Sequence, residues 1–166
     1  MRKLVTFFCF MTMITVTVIA QSTSWKVVNM EEVTRHGANC EYDDLTCTAT
    51  FTGKWDRWID LPDVKGDLTQ HTQLKLAILK STCMLKVIVR YRDEDGKIKE
   101  VTAATLYHTM GKTIESKKIA KIDLTNKGKI GEDVLKNVVS IRISMAKTVD
   151  GNEEPWTTQF GEVLIL

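Results

Sequence analysis

The sequence predicts an all-β protein, a two-sheet antiparallel β-sandwich of about eight to ten strands that follows a signal peptide. Three observations predict it. Most apolar runs alternate with polar residues at a period of two, the mark of half-buried strands. Turn-forming clusters separate these runs at intervals of roughly ten residues, and only one short stretch, 132–136, reads as helix. Strands that are apolar on one face bury those faces only by stacking two sheets or closing a barrel. Lys86 and Arg90 alternate along the outer side of one strand, which fits a sandwich sheet with one wet face.

The chain begins with Arg2 and Lys3, continues through the apolar run LVTFFCFMTMITVTVIA and ends that run at Val18-Ile19-Ala20. This is the pattern of a secretory signal, residues 1–20, cleaved before Gln21. A membrane span is the alternative, but the run of about 17 residues is at the lower limit for crossing a bilayer and polar QSTS follows it. Cys9 lies inside the run rather than at its end, unlike a lipid-modified cysteine. Residues 21–166 then form one domain, since roughly 146 residues bury about two-thirds of their unfolded surface and are too few for two ordinary domains.

The first strand runs from Leu45 to Thr52, with Leu45, Cys47, Ala49 and Phe51 facing the core and four threonines facing water. After Gly53, the segment KWDRWIDLP sets Arg57, Ile59 and Leu61 on one face and Trp58 and Asp60 on the other. Leu74, Leu76 and Ile78 mark the next strand, followed by Leu85, Val87, Val89 and Tyr91, where Ile88 breaks the alternation. Asp95-Gly96 sits at the tip of a hairpin leading to a strand through Ile98, Val101 and Ala103, so Asp93, Glu94 and Asp95 read as a solvated turn. Lys112 to Glu115 and Ile119 to Leu124 are short strands. A helix near Glu132 to Lys136 starts favourably at Asp133 and docks Val134 and Leu135 on a sheet edge. Val139, Ile141, Ile143 and Met145 then alternate with Ser140, Arg142 and Ser144, and Gly161 to Leu166 is the last strand.

Loss of Arg2 and Lys3 with the signal brings the 23 basic residues level with the 21 acidic ones, so the formal charge of +2 falls to zero. A neutral chain argues against nucleic acid and anionic membrane as partners, and cleavage argues against membrane insertion. Cys40, Cys47 and Cys83 remain in a compartment that permits disulfides. A Cys40–Cys47 bond would close a loop of about eight residues and contribute roughly 2.5 kcal/mol on the chain-entropy model. The alternative is three buried thiols packed as small hydrophobes. The cysteines and His36, His71 and His108 show no C-x-x-C or H-x-x-x-H spacing, so no metal ligands are assigned.

The residues with binding chemistry are mainly aromatic. Trp58 points away from the core if Ile59 and Leu61 enter it, and Trp55 lies at the adjoining turn beside Arg57. An indole offers a flat apolar face to the C–H face of a pyranose, while Arg57 and Asp60 can hydrogen-bond its hydroxyls. Closing the end of the sandwich core is the competing role for such tryptophans. Trp156 falls in the polar stretch DGNEEPWTTQFG, read as a loop stiffened by Pro155 that exposes the indole, and Tyr107 lines another loop beside His108. Trp25 reads as core. Glycoside hydrolysis needs two carboxyls set roughly 5 to 9 Å apart across the bond. Asp43, Asp44, Asp60, Asp63 and Asp67 supply carboxyls but occur in turn contexts, and no Gly-x-Ser-x-Gly, H-E-x-x-H or phosphate loop is present.

The order NCEYD, TCTATFTGKW, IDLPDVKGDLTQHTQLKL, RYRDEDGK and NVVSIRIS, from Asn39 to Ile143, resembles the jelly-roll modules that precede catalytic domains in secreted polysaccharide-degrading enzymes of gut bacteria. The resemblance implies a non-catalytic carbohydrate-binding or spacer module of the galactose-binding-like type. It also implies a polysaccharide or oligosaccharide partner, a secreted, periplasmic or cell-surface location, and a glycoside hydrolase domain downstream. Such modules sometimes hold a structural calcium ion and carry no other cofactor. The site residues Trp55, Trp58, Arg57, Asp60, Trp156 and Tyr107 rest on the reading of the residues themselves. A glycoside hydrolase or a fragment of one, and a protein interaction module without a sugar site, are the competing functions. The exposure of the tryptophans separates the last of these from sugar binding.

Overall fold

The computed structural model describes residues 26–28, 30, 34–36, 39–46, 48–54, 57–61, 64–106, 118–146 and 155–166. Among them are eleven strands and one short helix. The strands are β1 (Lys26–Val27), β2 (Thr34–His36), β3 (Asn39–Asp43), β4 (Thr48–Gly53), β5 (Trp58–Leu61), β6 (Gln73–Ser81), β7 (Leu85–Arg92), β8 (Ile98–Leu106), β9 (Lys118–Asp123), β10 (Val138–Met145) and β11 (Trp156–Ile165), with α1 at Glu132–Leu135 between β9 and β10.

The first sheet has the order β3-β4-β11-β6-β9, and β1 pairs with the far end of β11, where Lys26 lies opposite Ile165. The second sheet has the order β2-β5-β10-β7-β8, and every pairing in both sheets is antiparallel. The chain crosses repeatedly from sheet to sheet, as in a jelly roll.

The core follows from the alternation. Ala49, Phe51, Leu74, Leu76, Phe160 and Val163 of the first sheet and Ile59, Leu61, Val87, Val89, Ile141 and Ile143 of the second are fully buried. One end is closed by the segment between β5 and β6. Val64 and Leu68 are buried there, Gly66 pairs with Val138, and the Leu68 N–H donates to the Leu135 carbonyl at 2.8 Å, seating α1. The β7–β8 hairpin turns at Gly96, whose φ of +76° suits a residue without a side chain.

Three placements differ from the sequence reading. Leu45, expected in the core, is 96% exposed. The Asp43 carboxylate accepts the Leu45 N–H at 3.0 Å and the Thr46 hydroxyl at 2.7 Å, and this local turn holds Leu45 out in the hairpin before β4 begins. The threonine side of β4 is also less wet than expected, since Thr48 is buried and Thr50 and Thr52 are half-buried.

Trp156, expected in an exposed loop, opens β11 opposite Gly53 and is 5% exposed. The last strand therefore starts five residues before Gly161, and Trp156, Thr158 and Phe160 all point inward. The polar inward residue is Thr158, whose hydroxyl is satisfied by Ser81 Oγ at 2.8 Å. The expected strand at 112–115, together with Cys47, Trp25, Trp55, Tyr107 and His108, lies outside the described residues.

Candidate functional site

The outer face of the second sheet is built by pairing residues that are far apart in the chain. Because Ile59 and Leu61 fill the core, Trp58 and Asp60 on β5 project outward, as the alternation requires. Register then sets Arg142 of β10 opposite Asp60, Ser140 opposite Arg90 of β7, and Arg90 opposite Glu100 of β8. Two arginines and two carboxylates thereby meet on one surface.

Their contacts are tight. Arg142 holds Asp60 through one edge of its guanidinium, Nε to Oδ1 at 2.7 Å and Nη2 to Oδ2 at 3.0 Å. Its Nη1 donates to Glu100 Oε1 at 2.8 Å. Arg90 completes the ring, with Nη1 donating to Asp60 Oδ2 at 3.0 Å and to Ser140 Oγ at 3.2 Å, and Nε donating to Glu100 Oε1 at 3.1 Å. The formal charges cancel within the cluster. The Arg142 and Asp60 side chains are only 10% and 13% exposed, while the Glu100 side chain is 44% exposed. A planar guanidinium engaged at both edges is rigid.

Trp58 lies on this cluster. The Arg142 Cζ is 4.2 Å from the centroid of its ring, a face-on cation–π contact worth up to about 2 kcal/mol when desolvated. The indole is half-buried. Lys86 stands exposed on the same sheet surface, both it and Trp58 being register partners of Ser144.

Of the sequence-predicted site residues, the structure brings Trp58 and Asp60 together. It sets Arg57 apart. The Arg57 stem lies inward against Gly53, where an added side-chain carbon would come within 3.1 Å of Arg57 Cβ. The Arg57 carbonyl accepts the Met145 N–H at 2.8 Å, so the residue packs at the mouth of the core rather than beside Asp60. Trp156 is removed from the platform by its burial in the core. Trp55 and Tyr107 lie outside the described residues. Sequence reasoning missed Arg142, Arg90 and Glu100 as site residues, because each reads alone as an ordinary wet-face residue. The available signal was an arginine at the position facing Asp60 once β5 and β10 are paired.

Elsewhere, Tyr91, Asp93, Glu94, Asp95, Asp133 and Asn137 border an open acidic recess of about 440 Å³ beside the β7–β8 hairpin. Asp93 is occupied locally, accepting the Lys97 N–H at 2.7 Å. Among the described residues no group of three or more His, Cys, Asp or Glu is arranged to hold a metal ion, so none is assigned to the calcium that the resemblance implies. No disulfide is present among the described residues, and Cys47, the expected partner of Cys40, lies outside them. Cys83 is buried, with Sγ 3.7 Å from Thr158 Oγ1, and burial pushes its thiol above the ordinary range.

No protein-family model matches the chain, and no curated protein sequence matches it. Solved structures do. A mutant of a family 29 carbohydrate-binding module superposes at a TM-score of 0.56 with 8% identity, over 85% of this chain and 89% of that one. The fold is that of carbohydrate-binding modules. A second family 29 structure matches at 0.52 with 8% identity over 86% and 88% of the two chains, and a family 30 module at 0.52 with 15% identity over 84% and 83%. In the present chain, Trp58 lies on the outer face of the second sheet.

Proposed function

We propose that the chain is a secreted, non-catalytic module that binds a polysaccharide or oligosaccharide on the outer face of the second sheet and acts beside a glycoside hydrolase. The observation that carries this reading is Trp58, which projects outward from the start of β5 with its ring centroid 4.2 Å from the Arg142 Cζ. An indole fixed by its inner face offers an apolar plane to the C–H face of a sugar, and Glu100, with 44% of its side chain exposed, offers an acceptor for a hydroxyl. The fold shared with carbohydrate-binding modules supports the same ligand class. A hydrolytic role is disfavoured because Asp60 and Glu100 are both tied to the same two arginines, whereas glycosidases set two carboxyls across a bond to be cut. The signal at residues 1–20 supports secretion.

Affinity electrophoresis through gels containing plant and microbial polysaccharides tests the reading. At least one glycan retards the protein, and Trp58→Ala abolishes that retardation. A panel with no retardation, or retardation unchanged by Trp58→Ala, overturns it.

A further inference from the structure

The sugar platform described above raises the question of what sets the tryptophan plane. An outward-facing indole on a strand has several rotamers available, and a ring that samples them must be immobilised when a ligand stacks. Here the ring rests on a guanidinium that cannot turn. Arg142 is held by Asp60 at Nε and Nη2 and by Glu100 at Nη1, and those three contacts lie between 2.7 and 3.0 Å. Asp60 is in turn largely occupied: Oδ1 accepts from Arg142, and Oδ2 accepts from both Arg142 and Arg90, three of about four acceptor sites. With side chains 10% and 13% exposed, Arg142 and Asp60 present little to a ligand.

We infer that Arg142 is a positioning residue for the Trp58 platform: Asp60 and Glu100 fix its guanidinium, the guanidinium fixes the plane of the indole, and the glycan meets a pre-oriented ring without touching Arg142 or Asp60. This rests on the glycan-binding reading of the same face, and it reassigns Asp60 from a hydroxyl contact to a brace. It also makes Arg and Lys unequal at 142. A lysine keeps the charge but has neither the fork that engages both Asp60 oxygens nor the plane that stacks on the ring.

The experiment compares the wild-type chain, Trp58→Ala, Arg142→Lys, Glu100→Gln and the Trp58→Ala/Arg142→Lys double variant. It reads near-ultraviolet circular dichroism, melting temperature and retardation by whichever polysaccharide binds the wild type. Arg142→Lys is expected to change the tryptophan band and weaken binding by roughly three- to tenfold at a temperature well below its melting point. In the Trp58→Ala background the same substitution changes neither. Glu100→Gln, at a partly exposed carboxylate, keeps the fold and shifts the band in the same direction by less. If Trp58→Ala abolishes binding while Arg142→Lys binds as the wild type does, the positioning role is overturned and the glycan reading stands. If no polysaccharide binds, or Trp58→Ala binds normally, the glycan reading falls and takes the positioning role with it. Should Arg142→Lys fail to fold, Glu100→Gln decides: an unchanged tryptophan band overturns the inference.

Discussion

The outer faces of the two sheets are built on different principles. On the second sheet, Arg142 reaches Asp60 and Glu100 across 82 and 42 residues of chain, and Arg90 reaches Asp60 across 30. On the first, the short hydrogen bonds are local: Thr46 to Thr48 at 2.8 Å, Asp43 to Thr46 at 2.7 Å and, at the end of β9, Asp123 to Thr125 at 2.6 Å. Its longer-range contacts include the Thr157 N–H to Thr82 Oγ1 at 2.9 Å, while the side-chain pairs Gln159 to Thr48 and Thr52 to Thr157 stretch to 3.4 and 3.5 Å. Among the described residues, one face carries a closed ionic cluster beside an aromatic ring, and the other carries local turns and hydroxyl contacts. A surface that invests buried charge in holding one ring has a use for the position of that ring.

The contrast can be broken by substitution. Asp60→Ala leaves both arginines with Glu100 as their one remaining carboxylate in the cluster, Arg142 almost wholly buried, and is expected to cost about 3–5 kcal/mol in urea-unfolding free energy. A loss within the range of ordinary surface substitutions would show that the cluster is not a unit. Trp58→Ala removes the contact with Arg142 but no core packing, and its expected cost is about 1–2 kcal/mol by the same measurement. Thr50→Ala, on the first sheet, is expected to stay within about 0.5 kcal/mol. The smallest effect is a dependence on pH at a first-sheet turn. The hydroxyl and N–H of Thr125 and the N–H of Lys127 hold the Asp123 carboxyl below its ordinary value of 3.8. Because the folded value is the lower one, this stabilisation is complete above pH 3.8 and fades as pH falls through the folded value. The melting temperatures of the wild type and Asp123→Asn should therefore converge in acid, and a gap that widens there would reverse the sign.

The same contrast governs what could be read in the sequence. The strands were legible because alternation is a local signal, and so was the outward direction of Trp58 and Asp60, which follows from Ile59 and Leu61 entering the core. The Asp95-Gly96 hairpin was legible from its turn residues. Leu45 was misplaced because a carboxylate two residues earlier captured its N–H, a contact that overrides apolar periodicity. Trp156 was misplaced because Thr158 puts a hydroxyl at an inward position of β11, and only its partner Ser81, 77 residues away, makes that position tolerable. The ion cluster was illegible for the same reason: Arg142, Arg90 and Glu100 become a site only when the register of four strands is known. Composition and period describe a strand, whereas register describes which strands share a surface.

The central claim is that the second sheet, and not the first, carries the glycan. Side-by-side affinity electrophoresis of Trp58→Ala and Thr50→Ala in the polysaccharide that retards the wild type tests it most directly. The account predicts that Trp58→Ala migrates as it does without polysaccharide while Thr50→Ala is retarded as the wild type is. Equal retardation of the two variants, or loss confined to Thr50→Ala, would contradict it.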